Sequence, residues 1–131
     1  MSEKIFGNRN PERDAFLKQY KYCANANTLR KIWKAKEGQA KVLYLREESI
    51  TDLSPLKNLF HLQKLDVSNT QVNDLSPLKD LVDLEMLDVS NTQVNNLTPI
   101  KNHFKNPKFI VECKNCPLTT PPKAILTLGI L

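Results

Sequence analysis

The sequence predicts an α/β fold, a right-handed solenoid of about four repeats with a parallel sheet on its concave face and a helical N-terminal cap. Three observations predict it. The stretch at 62–73 returns, nearly unchanged, at 84–95. Apolar residues recur at the same places within each copy. A segment with apolar residues at helical spacing precedes the first copy.

The two central copies share the pattern Leu-x-x-Leu-x-Val-x-x-Thr-x-Val, followed by Leu or Ile at every third position. The two copies start 22 residues apart, at Leu62 and Leu84. This apolar pattern at this period is the signature of a leucine-rich repeat. Counting back one period from Leu62 gives a first copy that starts near Ala40. Counting forward from Leu84 needs one period and a two-residue insertion around 104–107, and it gives a fourth copy near Lys108.

Each copy contains one predicted strand and one predicted helical turn. Alternating apolar and polar residues indicate strands in which one set of side chains points inward; the predicted strands are 42–45, 64–67, 86–89 and 110–113. A hydroxyl residue followed by proline indicates a helix start, with the hydroxyl as N-cap; these pairs begin at Ser54, Ser76 and Thr98.

One inward position of the repeat is polar. Thr70 and Thr92 occupy it in the central copies, and we expect their hydroxyls to hydrogen-bond to the loop backbone. Glu48 occupies it in the first copy. Because a carboxylate is not buried unpaired, we expect Glu48 to reach solvent or a cap residue such as Lys31 or Lys34.

Residues 1–37 are predicted to form a flexible arm (1–9) and a helical cap, and residues 38–131 to form the solenoid with its own C-terminal cap. Asn10 and Pro11 indicate a helix start, residues 25–28 an interruption, and Gly38 a helix end. A solenoid leaves the core of its first repeat uncovered, so the cap should bury its apolar side chains there: Phe16, Leu17, Tyr20, Leu29, Ile32 and Trp33. Stacking on a ligand is the alternative role for Trp33.

Composition limits the classes of function. The 131 residues indicate one domain, and no apolar run is long enough for membrane insertion. The net charge of +5 lies entirely in residues 1–37, with nine Lys or Arg against four Asp or Glu, so nucleic acid or an anionic surface is an alternative partner. The N-terminus lacks the pattern of a secretory signal and the three cysteines are an odd number, so we expect a cytoplasmic protein.

Catalytic and metal-binding motifs are scarce. Cys113 and Cys116 form a C-x-x-C motif, but a zinc site needs four ligands and the sequence has no second motif to complete it. The repeat register instead places both sulfurs in the core. The three glycines are far apart, which excludes a glycine-rich phosphate loop. We therefore expect no enzyme activity, no cofactor, no metal and no small-molecule ligand.

The repeats "LDVSNTQVNDLSPLKDL" and "LDVSNTQVNNLTPI" resemble the 22-residue bacterial leucine-rich repeats of the internalin type. The closing stretch at 116–126 is similar to the terminal repeat of arrays in bacterial Roco-type proteins. Together these resemblances cover residues 40–126, and they imply an interaction surface without naming a partner. Internalins are exported, and in this respect the N-terminus departs from the family.

The predicted site is the concave face, where Asp66, Asp88 and Glu112 form an acidic column with neighbours about 5 Å apart. Two interpretations stay open: the column binds Lys or Arg side chains of a protein partner, or it consists of ordinary residues that point to water. The first makes the chain a non-catalytic adaptor; a subunit role in a larger complex is the alternative. The predicted partner-binding residues are Tyr44, Arg46, Lys64, Asp66, Asn69, Met86, Asp88, Asn91, Ile110, Glu112 and Lys114.

Overall fold

Four parallel strands form a single sheet, in the order in which they occur in the chain. The computed structural model describes residues 10–119. It contains helices α1 (Pro11–Gln19) and α2 (Ala26–Glu37), then strands β1 (Val42–Tyr44), β2 (Lys64–Asp66), β3 (Met86–Asp88) and β4 (Ile110–Glu112). A 3₁₀-helix follows each of the first three strands. The predicted leucine-rich-repeat solenoid is confirmed.

The register of the strands follows the repeat. Leu43 pairs with Leu65, Leu65 with Leu87, and Leu87 with Val111, so equivalent inward side chains stack from turn to turn. The last pair lies two positions further apart in sequence than the others, which confirms the predicted insertion in the third repeat. A longer 3₁₀ segment, Thr98–Lys105, precedes β4. Each strand is three residues long and ends one residue before the predicted boundary.

The 3₁₀-helices begin at the predicted Ser-Pro and Thr-Pro pairs, but the predicted capping residue is wrong. The N-cap positions are leucines whose side chains make no capping bond. The side chain two residues before each Ser-Pro or Thr-Pro pair caps the turn instead: Asp52 Oδ1 accepts from the Ser54 N–H at 2.9 Å. Asp74 and Asn96 make the equivalent bonds in the next two repeats. The Asp or Asn side chain reaches the amide of residue i+2, as in an Asx-turn.

The residue three positions after each strand has a left-handed backbone conformation. Glu47 has φ of 63°, and Asn69, Asn91 and Asn115 each have φ of 57°. Asparagine tolerates this region better than other non-glycine residues, which explains its recurrence. Asn69 and Asn91 were predicted as partner-binding residues, so they also have a conformational role that periodicity did not reveal.

The cap helices start as predicted but are divided differently. Asn10 and Asn25 are both N-caps; Asn25 Oδ1 accepts from the Thr28 N–H at 2.8 Å. Residues 25–28 therefore begin α2 and do not interrupt a helix, because α1 has already ended at Gln19. Gly38 follows α2 as predicted, but its φ is −84° and the left-handed residue is Gln39.

The cap packs on the first repeat. Phe16, Leu29, Ile32 and Trp33 are buried in the core that continues into the repeats, while Leu17 and Tyr20 are half-buried against it. The chain between the helices also runs antiparallel to the first repeat: Ala24 bridges Ile50. Backbone bonds join the two segments on either side of that bridge. The predicted arm (1–9) and most of the predicted C-terminal cap lie outside the described residues, and the domain boundary stays a prediction.

Candidate functional site: the concave face

The concave face consists of the side chains of β1–β4 that point away from the core, together with the residues directly after each strand. Large apolar side chains are exposed on it, with Tyr44 61% and Ile110 59% exposed. Tyr44 lies on β1 and Ile110 on β4, at opposite edges of the sheet, so exposed apolar side chains occur across the width of this face.

The structure brings five of the eleven predicted residues together. Tyr44, Lys64, Asp66, Met86 and Asp88 line a shallow depression of about 120 Å³ on strands β1 to β3. The other six extend the same face without lining the depression: Ile110 and Glu112 lie on β4, and Arg46, Asn69, Asn91 and Lys114 follow the strands.

The acidic column exists, but two of its carboxylates are partly engaged. Asp66 pairs with Asp88, and Asp88 with Glu112, in the strand register. Asp66 Oδ1 accepts from both the Ser68 N–H, at 2.9 Å, and the Ser68 hydroxyl, at 2.6 Å. Asp88 Oδ1 accepts from the Ser90 N–H at 2.9 Å. Both aspartates are half-buried, and both interpretations of the column stay open: a site for Lys or Arg side chains, or ordinary residues that face solvent.

These bonds leave one oxygen of each aspartate for a partner. Asp66 Oδ2 and Asp88 Oδ2 accept no hydrogen bond from residues 10–119. Since Oδ1 of each is held by the backbone two residues later, the second oxygens are held in a repeated orientation one strand apart. The spacing Asp-x-Ser, which also occurs at Asp52-x-Ser54, was the signal in the sequence that could have predicted this arrangement.

Neighbouring residues of this face form a ladder that stabilises the loops. Ser68 and Ser90, placed on the concave face by the register, are buried. Ser90 Oγ accepts from the Lys114 N–H at 3.1 Å, and Asn115 Nδ2 donates to Asn91 Oδ1 at 3.0 Å. Ser90 and Asn91 therefore connect the loops of successive repeats, and the buried serines offer little surface to a partner.

The inward polar position behaves as predicted. The hydroxyls of Thr70 and Thr92 donate to the carbonyls of Val67 and Val89, at 2.7 and 2.6 Å. Cys116 takes this position in the fourth repeat, and its thiol donates to the Val89 carbonyl at 2.9 Å.

Glu48 connects the first repeat to the cap. Its Oε2 lies 3.4 Å from Lys31 Nζ, which confirms one of the two predicted lysines. Thr28, which the apolar periodicity did not single out, donates its hydroxyl to Glu48 Oε1 at 2.7 Å. This hydrogen bond, together with the Lys31 ammonium, holds the pKa of Glu48 below its ordinary value, against the opposing effect of burial.

Cys113, Cys116 and His103 pack within the fold. Cys113 and Cys116 are half-buried and pack against the core, as predicted, and burial raises the pKa of Cys113. His103 is buried, and its Nε2 donates to the Leu78 carbonyl at 2.9 Å. Burial lowers the pKa of His103, although that hydrogen bond and Asp80 oppose the shift. Within residues 10–119, no three His, Cys, Asp or Glu side chains are grouped so that they could hold a metal ion.

The basic cap presents few features of a nucleic-acid site. Phe16 and Trp33 are buried, so they are not available as platforms for stacked bases. Four of its cations have partners in the cap or the first repeat. Lys31 pairs with Glu48 and Arg13 with Asp14, while Lys21 and Lys36 lie 5.0 and 5.1 Å from the ring centres of Tyr22 and Trp33. In the part of the chain that the structure describes, no helix has the length and apolar character needed to cross a membrane.

Comparison with known proteins agrees with this geometry. Residues 60–102 match the protein family described as Leucine Rich repeats (2 copies). No curated protein sequence matches the chain significantly. Among solved structures, the chain is similar to internalin C2 of Listeria monocytogenes, with 32% identity over 70% of this chain and a TM-score of 0.60.

A second similar structure is an internalin, InlF, of the same organism, with 23% identity over 74% of this chain and a TM-score of 0.62. The chain spans 39% of the length of the first structure and 28% of the second. The likeness therefore lies in the repeats. Proteins with such solenoids generally use the extended concave surface to bind other proteins.

Proposed function

We propose that the chain is a non-catalytic adaptor that binds a partner protein on its concave face. The observation that carries the proposal is the depression between Tyr44 and Met86, which is also lined by Asp66 and Asp88, each with one free oxygen. It combines an exposed aromatic side chain, an apolar flexible side chain and fixed negative charge. Aromatic residues and methionine are enriched in the cores of protein interfaces.

The chemistry of the depression favours a partner that presents Lys or Arg beside an apolar side chain. Tyr44 supplies the anchor, since buried aromatic residues dominate binding energies. Asp66 and Asp88 then set the orientation and association rate of a cationic segment. Lys64 at the rim adds a positive charge that disfavours partners with a purely basic surface.

A role as a structural or regulatory subunit of a larger complex is the second candidate function. We further propose an internalin-type origin for the repeats, a relation of the closing repeat to Roco-type arrays, a bacterial source and a cytoplasmic location. Binding of nucleic acid by the basic cap is the weakest of the alternatives.

The experiment is a quantitative affinity capture from the native cell with the full chain, in parallel with a Tyr44→Ala/Met86→Ala variant. A Phe60→Ala/Val82→Ala variant is the matched control, because Phe60 and Val82 are 51% and 79% exposed and lie outside the concave face. The proposal predicts one stoichiometric protein that the wild type and control capture and the concave variant loses. Recovery of nuclease-sensitive nucleic acid alone would contradict it.

A further inference from the structure

A second concavity lies between the cap and the first repeat, away from the strands. It has a volume of about 410 Å³ and is lined by both cap helices and by the turn after β1. Phe16, Tyr20 and Trp33 supply aromatic surface to it, with Phe16 4.9 Å from Tyr20 and 5.4 Å from Trp33 between ring centres. Its size falls within the range of small-molecule pockets, roughly 300 to 1,000 Å³.

Charge is distributed unevenly around this cavity. Lys36 and Lys57 line it and carry two positive charges, against one negative charge on Glu12. Gln19 and Asn58 add neutral hydrogen-bonding groups. An aromatic floor beneath a rim with excess positive charge suits a ligand that has an apolar body and one anionic group.

A buried polar group lies in the same wall. Trp33 is 7% exposed, and its indole nitrogen has no hydrogen-bond partner among residues 10–119. The indole N–H is a donor only, and a buried donor without a partner is uncommon in proteins. Lys36 Nζ lies 5.1 Å from the ring centre, and Lys36 is itself exposed.

We propose that this cavity is a binding site for a small amphiphilic carboxylate. The apolar body packs on the half-buried Tyr20 and on the small exposed parts of Phe16 and Trp33, and the carboxylate pairs with Lys36 and Lys57. The site is independent of the concave face, with which it shares no lining residue. Its residues come from three separate stretches, 12–20, 33–36 and 55–59, so no local sequence motif predicts the site. The sequence analysis expected no small-molecule ligand and gave ligand stacking only as the alternative role of Trp33.

The probe is octanoate, titrated into the full chain. The chain has a single tryptophan, so its indole N–H gives one signal in a ¹H–¹⁵N spectrum and reports directly on this wall. The proposal predicts a saturable shift of that signal with octanoate and a much weaker response to octanamide, which has the same body without the charge. Ala15→Leu, which adds volume at the lining of the cavity, abolishes the shift.

Two double lysine variants distinguish binding of octanoate in this cavity from a general attraction of the anion to the basic cap. Lys36→Ala/Lys57→Ala weakens octanoate binding about tenfold, the loss expected for two surface ion pairs. Lys34→Ala/Lys79→Ala removes the same charge and leaves binding unchanged, since Lys34 lies on the same helix and Lys79 is the repeat equivalent of Lys57. Absence of a saturable shift, an equal response to octanamide, or equal weakening in both double variants overturns the proposal.

Discussion

The hydroxyl of Thr28 donates to Glu48 Oε1 at 2.7 Å, across the junction between the cap and the first repeat. In later repeats the side chain equivalent to Glu48, Thr70 or Thr92, bonds to a carbonyl of its own repeat. In the first repeat the longer Glu48 reaches out to helix α2 instead. The same repeat position therefore bonds within its own repeat at Thr70 and Thr92, and attaches the cap to the first repeat at Glu48.

This attachment depends on pH. The folded protein holds the pKa of Glu48 below its ordinary value, chiefly through the Thr28 hydrogen bond, so the unfolded chain takes up the proton first as pH falls. The stabilisation is present above about pH 4.5 and is lost as pH falls through the lowered pKa. Glu48→Gln should flatten the acid limb of the unfolding free energy measured by urea titration. Glu47→Gln is the control, and an acid limb identical in wild type and Glu48→Gln would contradict the assignment.

The second prediction concerns the cap. Replacing Trp33 with Ala removes a buried aromatic side chain and should lower the free energy of unfolding by about 3 to 5 kcal/mol. Tyr22→Ala is the matched control, because Tyr22 is 85% exposed and should change stability by less than about 0.5 kcal/mol. Denaturant unfolding of the three proteins checks both values. A Trp33→Ala protein as stable as the wild type would show that this segment does not cap the solenoid.

The third prediction concerns His103. Burial lowers the pKa of His103, so the unfolded chain binds a proton at higher pH than the folded chain. The contribution of this group to stability should therefore be complete above about pH 6.5 and decrease as pH falls through the lowered pKa. Titration of the His103 ring by NMR measures that pKa. A value at or above the ordinary histidine pKa of 6.5 would contradict the burial of the ring.

The fourth prediction concerns the C-x-x-C motif. Purified protein should contain no stoichiometric zinc, and a chelator should not change its melting temperature. The reason is that Cys116 already donates to the Val89 carbonyl, and two cysteines leave a tetrahedral site two ligands short. Elemental analysis is the measurement, and one equivalent of zinc per chain would overturn the prediction.

The repeat period predicted the strands, the register and the inward threonines, because these depend on side-chain direction, which alternates along a strand. It did not predict which polar side chains cap the turns. Asp52 and Ser54 both compete for that role, and only the backbone path shows that Asp52 reaches the amide. Glu48 was expected to reach solvent or a cap residue such as Lys31 or Lys34; it reaches the cap, and its closest contact there is the Thr28 hydroxyl on helix α2.

The candidate site was predicted in outline only. The period placed Tyr44, Asp66 and Asp88 on one face, and the structure agrees. It could not show that Asp66 and Asp88 each use one oxygen within their own loop, since that bond depends on the turn after the strand. The consequence is practical: Asp→Lys changes would disturb the loop as well as the charge, whereas Asp→Asn keeps the Oδ1 acceptor and removes only the charge.

Binding of the partner on the concave face is tested most directly by the affinity of the captured partner for three variants. Tyr44→Ala should weaken binding most, by about 2 kcal/mol or more if Tyr44 is the anchor. Asp66→Asn/Asp88→Asn should weaken it less and mainly slow association. Lys57→Glu/Lys79→Glu, on the 3₁₀ side of the coil, should leave the Kd unchanged. Binding that is lost in the lysine variant and intact in the Tyr44 and aspartate variants would place the partner elsewhere and contradict the concave-face site.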